Sequence, residues 1–196
     1  MLALDADLFL ALNATPATPA AVLAAARWLS QDLPVFAGLL MVLELARGNP
    51  ATRRAVAWGV FSLLVAWCAV RGFRALFPVP RPAQLGLGIQ WIEMGARASF
   101  PSMHTAAAFA LARGLTLGLA RGQATGWRWL AYALAAALGW SRVCLGVHMP
   151  SDVIAGALVG ACSAWVAGRA AQAWISRRGK FSAYWFRPGR PSAPRR

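Results

Sequence analysis

Long apolar runs separated by short polar ones fill most of the chain, and their order predicts a bundle of helices. Over residues 3–13, Leu4, Leu8 and Leu12 recur at helical spacing, with Asp5 and Asp7 near the start. The helix dipole favours negative charge there, and the pattern suits a short helix lying in a membrane interface. Asn13 and Pro16 end it. Residues 18–31 are Ala-rich and apolar but hold Arg27, which reads as a second peripheral or tilted helix. Asp32 is placed to cap a first span, with Leu33 and Pro34 in its opening turn and its end near Ala46. That run is short for a bilayer, so residues 20–31 are available to lengthen the crossing. A polar loop over 47–54 leads to a second span over 55–72. Residues 73–100 hold too many glycines, prolines and charges to cross. Further spans follow over 101–120, 129–143 and 149–175, the last with Pro150 in its first turn. The fold class read from this pattern is all-α, a polytopic membrane helix bundle. Residues 1–175 form one domain, with interfacial helices over 1–31 and a five-span core over 33–175, and a basic, Pro-rich tail covers 176–196.

Composition sharpens this picture. The chain of 196 residues is 59% hydrophobic and 13% charged, with a mean hydropathy of +0.51, far more apolar than a soluble domain. Its formal net charge is +14. A basic balance can signal nucleic acid, but here the arginines sit between apolar runs, so the expectation is topology signalling and no nucleic-acid partner. Arg47, Arg53, Arg54, Arg121, Arg128 and the tail fall on one side of the five spans, while Arg71, Arg74, Arg81, Arg97 and Arg142 fall on the other. The positive-inside rule makes the first side cytoplasmic, C-terminus included, and turns the other outward, to the periplasm for a bacterial inner membrane. The first residues carry acid and no base, unlike a cleavable signal peptide. Cys68, Cys144 and Cys162 show neither zinc spacing nor a disulfide framework.

Both histidines of the chain fall at span starts on the outward side. Three polar clusters gather there: Arg74 with Arg81-Pro82; Pro101-Ser102-Met103-His104; and Ser141-Arg142 followed by His148 and Asp152. His148 and Asp152 are four apart, which on a helix puts them on one face. An Asp there accepts the proton of one imidazole nitrogen and leaves the other as a nucleophile or base. Ser102 stands at a helix start, where N–H groups and the dipole favour anions, and three arginines suit phosphoryl oxygens. Singly each has a plainer reading, since a lone membrane-edge Arg is ordinarily a snorkelling anchor and a lone Ser a cap. Convergence on one face favours phosphate chemistry.

The clusters resemble the three signature motifs of the phosphatidic acid phosphatase type 2 superfamily: Lys-x6-Arg-Pro, Pro-Ser-Gly-His and Ser-Arg-x5-His-x3-Asp. Ser141, Arg142, His148 and Asp152 match the third at every fixed position. Arg74 replaces Lys in the first, keeping charge but not the compact ammonium, and Met103 replaces Gly in the second. Within the superfamily, LFLALNATP, SFPSMHT and WSRVCLGVHMPSDVIAG look most like bacterial undecaprenyl-diphosphate phosphatases. The resemblance implies an enzyme that recycles the lipid carrier of cell-wall synthesis. His148 would be the nucleophile that becomes phosphohistidine, Asp152 its orienting partner and His104 the acid and later the base. Arg74, Arg81, Ser102, Met103 and Arg142 would hold the phosphate. The implied partners are a membrane lipid phosphate and the bilayer. With arginines in place of a metal's charge and no cluster of carboxylates, no metal and no cofactor are expected. The motifs read the phosphate, not the tail, so phosphatidylglycerophosphate, phosphatidate and lipid A phosphates stand as alternative substrates. A lipid-binding or transport protein without turnover, and a haloperoxidase-like vanadate enzyme, are further alternatives. The complete triad argues against the former and the dense apolar spans against the latter.

Overall fold

A computed structural model describes residues 3–95, 98–118 and 124–177. Among them every regular element is helical, with no strand. The elements are α1 (Ala3–Leu12), α2 (Ala20–Arg27), a π-helical turn (Trp28–Asp32), α3 (Leu33–Arg47), α4 (Pro50–Leu76), a 3₁₀ turn (Pro82–Leu85), α5 (Met103–Gly118), α6 (Ala124–Cys144) and α7 (Pro150–Arg177). The runs Ala20–Arg47, Pro50–Leu76 and Pro150–Ala170 are long and apolar enough to cross a membrane. Their outer faces agree, since Val35, Phe36, Leu39, Leu40 and Val42 on α3 are all more than half exposed. The chain is thus a helical membrane bundle.

Two helix starts differ from the sequence reading. Asp32 makes no capping hydrogen bond. Residues 20–47 run on as one helix of 28 residues, widened to π geometry where the Leu33 N–H reaches the Trp28 carbonyl. Pro34 gives the reason. It has no N–H to offer the carbonyl of Ser30, and its ring would press on that carbonyl in an α turn, so one wider turn keeps the helix going. The polar stretch 47–54 is also mostly helix, because Asn49 caps α4 through the Thr52 N–H at 3.0 Å and Pro50 opens it. Arg53 then reaches back to the Ala46 carbonyl at 2.8 Å, covering the end of α3.

α5 lies at the centre, against α4, α6 and α7. Small residues let the backbones approach. A Cβ on Gly160 of α7 would stand 2.3 Å from the Ala106 carbonyl oxygen of α5, and one on Gly156 would stand 2.6 Å from that of Ser102. Ala66 and Val70 of α4 close the same seam on Ala106 and Ala110. This tight α4–α5–α7 core brings the end of α4 beside the starts of α5 and α7. The basic tail expected over 176–196 lies, beyond Arg177, outside the described residues, as do Arg97 and Arg121.

Candidate active site

The centre of the site is the connection from α6 to α7. α6 stops at Cys144 because Gly146 takes a positive φ of 74°, a turn that glycine adopts without a Cβ penalty. A side chain there would also collide with the Ile89 carbonyl oxygen, 2.0 Å from the Cβ position. The turn delivers His148 just ahead of Pro150, the first residue of α7. His148 therefore precedes the helix, and the pairing with Asp152 is not the helical i, i+4 contact that the spacing predicts. Asp152 sits in the first turn and folds back, where its Oδ2 accepts the Met149 N–H at 2.9 Å and pairs with His148 Nδ1 at 3.1 Å. One carboxylate oxygen thus caps the helix and holds the imidazole. Ser99 Oγ donates a very short hydrogen bond to the same oxygen and lies 3.2 Å from His148 Nδ1.

All three side chains are buried. Burial is the main influence on His148 and holds it down at about 4, with Arg142 and Arg81 acting in the same direction and Asp152 opposing. The imidazole is therefore neutral near pH 7. With Nδ1 facing Asp152, the free nitrogen is Nε2, and the ring forms part of the wall of a cavity of about 450 Å³. Arg74, Arg81, Met103 and His104 line the same cavity.

The arginines are positioned by backbone carbonyls. Arg74 donates through Nη2 to the carbonyls of Ser99 (2.8 Å) and Pro101 (2.6 Å), and through Nε to Pro101 (3.1 Å). Nη2 thus joins both carbonyls, and Nε adds a second bond to Pro101 that fixes the plane of the guanidinium group. Arg81 donates to the Val147 carbonyl at 2.7 Å, beside His148. Arg142 bonds Ser30 Oγ through Nη1 and lies 3.6 Å from Met94 Sδ through Nη2. Its Nε is buried without a partner, a donor left over for an anion. Ser102 is buried and accepts from Thr105 Oγ1 at 3.0 Å, while its N–H bonds the Asp152 carbonyl at 2.9 Å. That N–H is spent on joining α5 to α7. Met103 packs its side chain against the apolar seam between α4 and α5. Ser141 Oγ bonds back to the Leu138 carbonyl at 2.7 Å within α6.

The predicted clusters therefore converge at one end of the bundle. Sequence reasoning missed Ser99, Ser30 and Asn13. Asn13 bonds the N–H and carbonyl of Ile89 at 2.7 and 3.0 Å and the Cys144 carbonyl at 3.1 Å. Asp5 accepts from the Ser151 N–H at 2.9 Å. The N-terminal segment thus clamps the His148 connection, a role that its reading as a helix end did not anticipate.

A neutral buried imidazole beneath a basic cavity, at one end of apolar helices, defines a membrane protein that handles phosphate groups. Comparison with known proteins agrees. The family described as the PAP2 superfamily matches residues 55–176. The Escherichia coli (strain K12) protein named "Putative undecaprenyl-diphosphatase YbjG" is 33% identical over 162 residues, 80% of this chain and 77% of that protein. The "Bacitracin transport permease protein BcrC" of Bacillus licheniformis is 50% identical over 66 residues, 34% of this chain and 30% of that protein. The crystal structure of Aquifex aeolicus LpxE matches with a TM-score of 0.68 at 24% identity, covering 86% of this chain and 96% of that one, and supports the fold. The chain belongs to the PAP2 superfamily and is a membrane lipid phosphatase of that group.

Proposed function

We propose that the protein hydrolyses undecaprenyl diphosphate to undecaprenyl phosphate on the periplasmic face of a bacterial inner membrane, returning carrier lipid to cell-wall synthesis. The observation that carries the chemistry is the buried His148, held through Nδ1 by Asp152 and Ser99, with its ring on the wall of the arginine-lined cavity. The substrate reading draws on the relative at 33% identity.

In this reading His148 Nε2 attacks the terminal phosphorus. The P–O bond to the bridging oxygen breaks, its electron pair leaves with the lipid phosphate, and His104, which takes up a proton from solvent as the anionic diphosphate enters beside it, gives that oxygen the proton. Asp152 steadies the positive charge on the phosphorylated imidazole. Water then attacks the phosphorus, the P–N electrons return to Nε2, and His104 takes the water's proton. Arg74, Arg81 and Arg142, with the start of α5 at Ser102 and Met103, hold the phosphoryl oxygens through both steps. The arginines supply the charge that a divalent ion supplies elsewhere, so the reaction needs no metal.

The test is phosphate release by the purified protein in detergent, across undecaprenyl diphosphate, phosphatidate, phosphatidylglycerophosphate and a lipid A phosphate. Undecaprenyl diphosphate should be the best substrate, and His148→Ala should bind it without turnover. A clear preference for another lipid overturns the substrate, and substantial release by His148→Ala overturns the nucleophile.

A further inference from the structure

We infer that Arg71, stacked on Trp67 at the cavity wall, binds the second phosphate of a diphosphate lipid, the one that stays with the tail. This rests on the substrate reading above and adds a group that lies outside the three motifs.

Arg71 precedes Arg74 by three residues on α4, about 4.5 Å along the axis and on the same face. Both line the cavity that His148 and His104 share. Their guanidinium groups are employed differently. Arg74 spends Nε and Nη2 on the carbonyls of Ser99 and Pro101, which fixes Nη1 for the transferred phosphoryl group. Arg71 makes no hydrogen bond or ion pair among the described residues, and its guanidinium carbon lies 5.5 Å from the centre of the Trp67 ring. Stacking orients the planar group without consuming its N–H donors. An arginine serving only as a membrane anchor has no reason to face a cavity shared with a buried histidine.

The chemistry of the substrate gives Arg71 its part. A monophosphate presents one group, which the inner arginines meet. In a diphosphate the second group is joined through the bridging oxygen, so it must point away from Nε2 and toward the membrane side. Arg71 is the cation on α4 in that direction. Beyond it on the same face come Trp67 and Leu64, exposed by 48% and 51%. The order along α4 is thus cation, cation, aromatic, aliphatic. It matches phosphoryl group, phosphate and hydrocarbon in an isoprenyl diphosphate lying along the helix.

The experiment compares farnesyl diphosphate with farnesyl phosphate on the full-length protein in detergent. Loss of a charge-assisted contact predicts that Arg71→Ala lowers kcat/KM for the diphosphate about 10- to 100-fold, chiefly through KM. For the monophosphate the fall should stay under about 3-fold, the ordinary size of an indirect effect. Arg71→Lys should recover part of the loss, and Trp67→Leu should give a smaller loss confined to the diphosphate. Retained monophosphate turnover also shows that each variant is folded. Where wild-type protein leaves the monophosphate uncleaved as a product, its inhibition constant against diphosphate cleavage is the reference instead and should move by under about 3-fold in Arg71→Ala. Equal losses on both substrates, or none on either, overturn the subsite while leaving the phosphatase standing. Wild-type protein that cleaves the monophosphate but not the diphosphate overturns the substrate reading and the subsite with it.

Discussion

Ser99→Ala is the most informative single substitution at the site. Ser99 Oγ is one of the donors to Asp152 Oδ2, the others being the Met149 N–H at 2.9 Å and His148 Nδ1 at 3.1 Å. Ser99 is fully buried, so water does not replace the lost donor. A hydrogen bond to a charged group contributes about 1.5–3 kcal/mol, which converts to roughly 10- to 150-fold at about 1.4 kcal/mol per tenfold. Part of that is returned, because an Asp152 with fewer donors attracts the charged imidazole more strongly. We therefore expect kcat to fall about 10- to 50-fold. KM should change by less than about 3-fold, since Ser99 acts through Asp152 and the Nδ1 side of His148 and so affects binding only indirectly. The reason is structural: Arg74 is anchored to the carbonyls of Ser99 and Pro101, which the substitution retains. The assay is initial-rate phosphate release over a range of lipid substrate, with wild type and His148→Ala as limits. Unchanged kcat, or a loss carried entirely by KM, refutes the positioning of Asp152 and His148 by Ser99.

In a His104→Gln variant His148 is the only imidazole in the chain, so the ¹⁵N shifts of labelled histidine report it alone. The midpoint should fall near 4, and one at or above the ordinary value of 6.5 contradicts the burial of a neutral ring. For stability the sign is that of a depressed group: the stabilisation is complete above 6.5 and is lost as pH falls toward 4. Phosphate release should survive excess chelator, and a loss restored by magnesium rejects the arginine-based account. Leu85→Cys, in a background without Cys68, Cys144 and Cys162, should react with an impermeant thiol reagent in intact spheroplasts. Reaction only after lysis reverses the orientation.

The polar clusters were legible in the sequence because each is local, and charged residues stand out in a chain this apolar. The span pattern was legible for the same reason, although α4 begins earlier than expected through its Asn49-Pro50 start. Hidden from view were contacts made by single neutral residues to distant partners. Ser99 reaches Asp152 across 53 positions, Ser30 reaches Arg142 across 112 and Asn13 reaches Cys144 across 131. No periodicity announces such pairs. The π turn was hidden too, since Pro34 after an Asp reads as a helix start, and only the continuous helix reveals the alternative of widening a turn. The His148–Asp152 spacing gave the right partner with a different geometry, because the acid serves the helix cap first.

The clamp formed by the N-terminal segment sets an order of events during synthesis. Residues 3–13 leave the ribosome well before their partners, since Cys144 comes 131 positions after Asn13 and Ser151 comes 146 after Asp5. At roughly 5–20 residues per second the wait is on the order of ten seconds. Ile89 gives Asn13 a partner 76 positions on, but until the start of α7 emerges the clamp on the His148 connection cannot close. The nascent chain passes most of its elongation as inert membrane helices, and catalytic competence arrives as one late event.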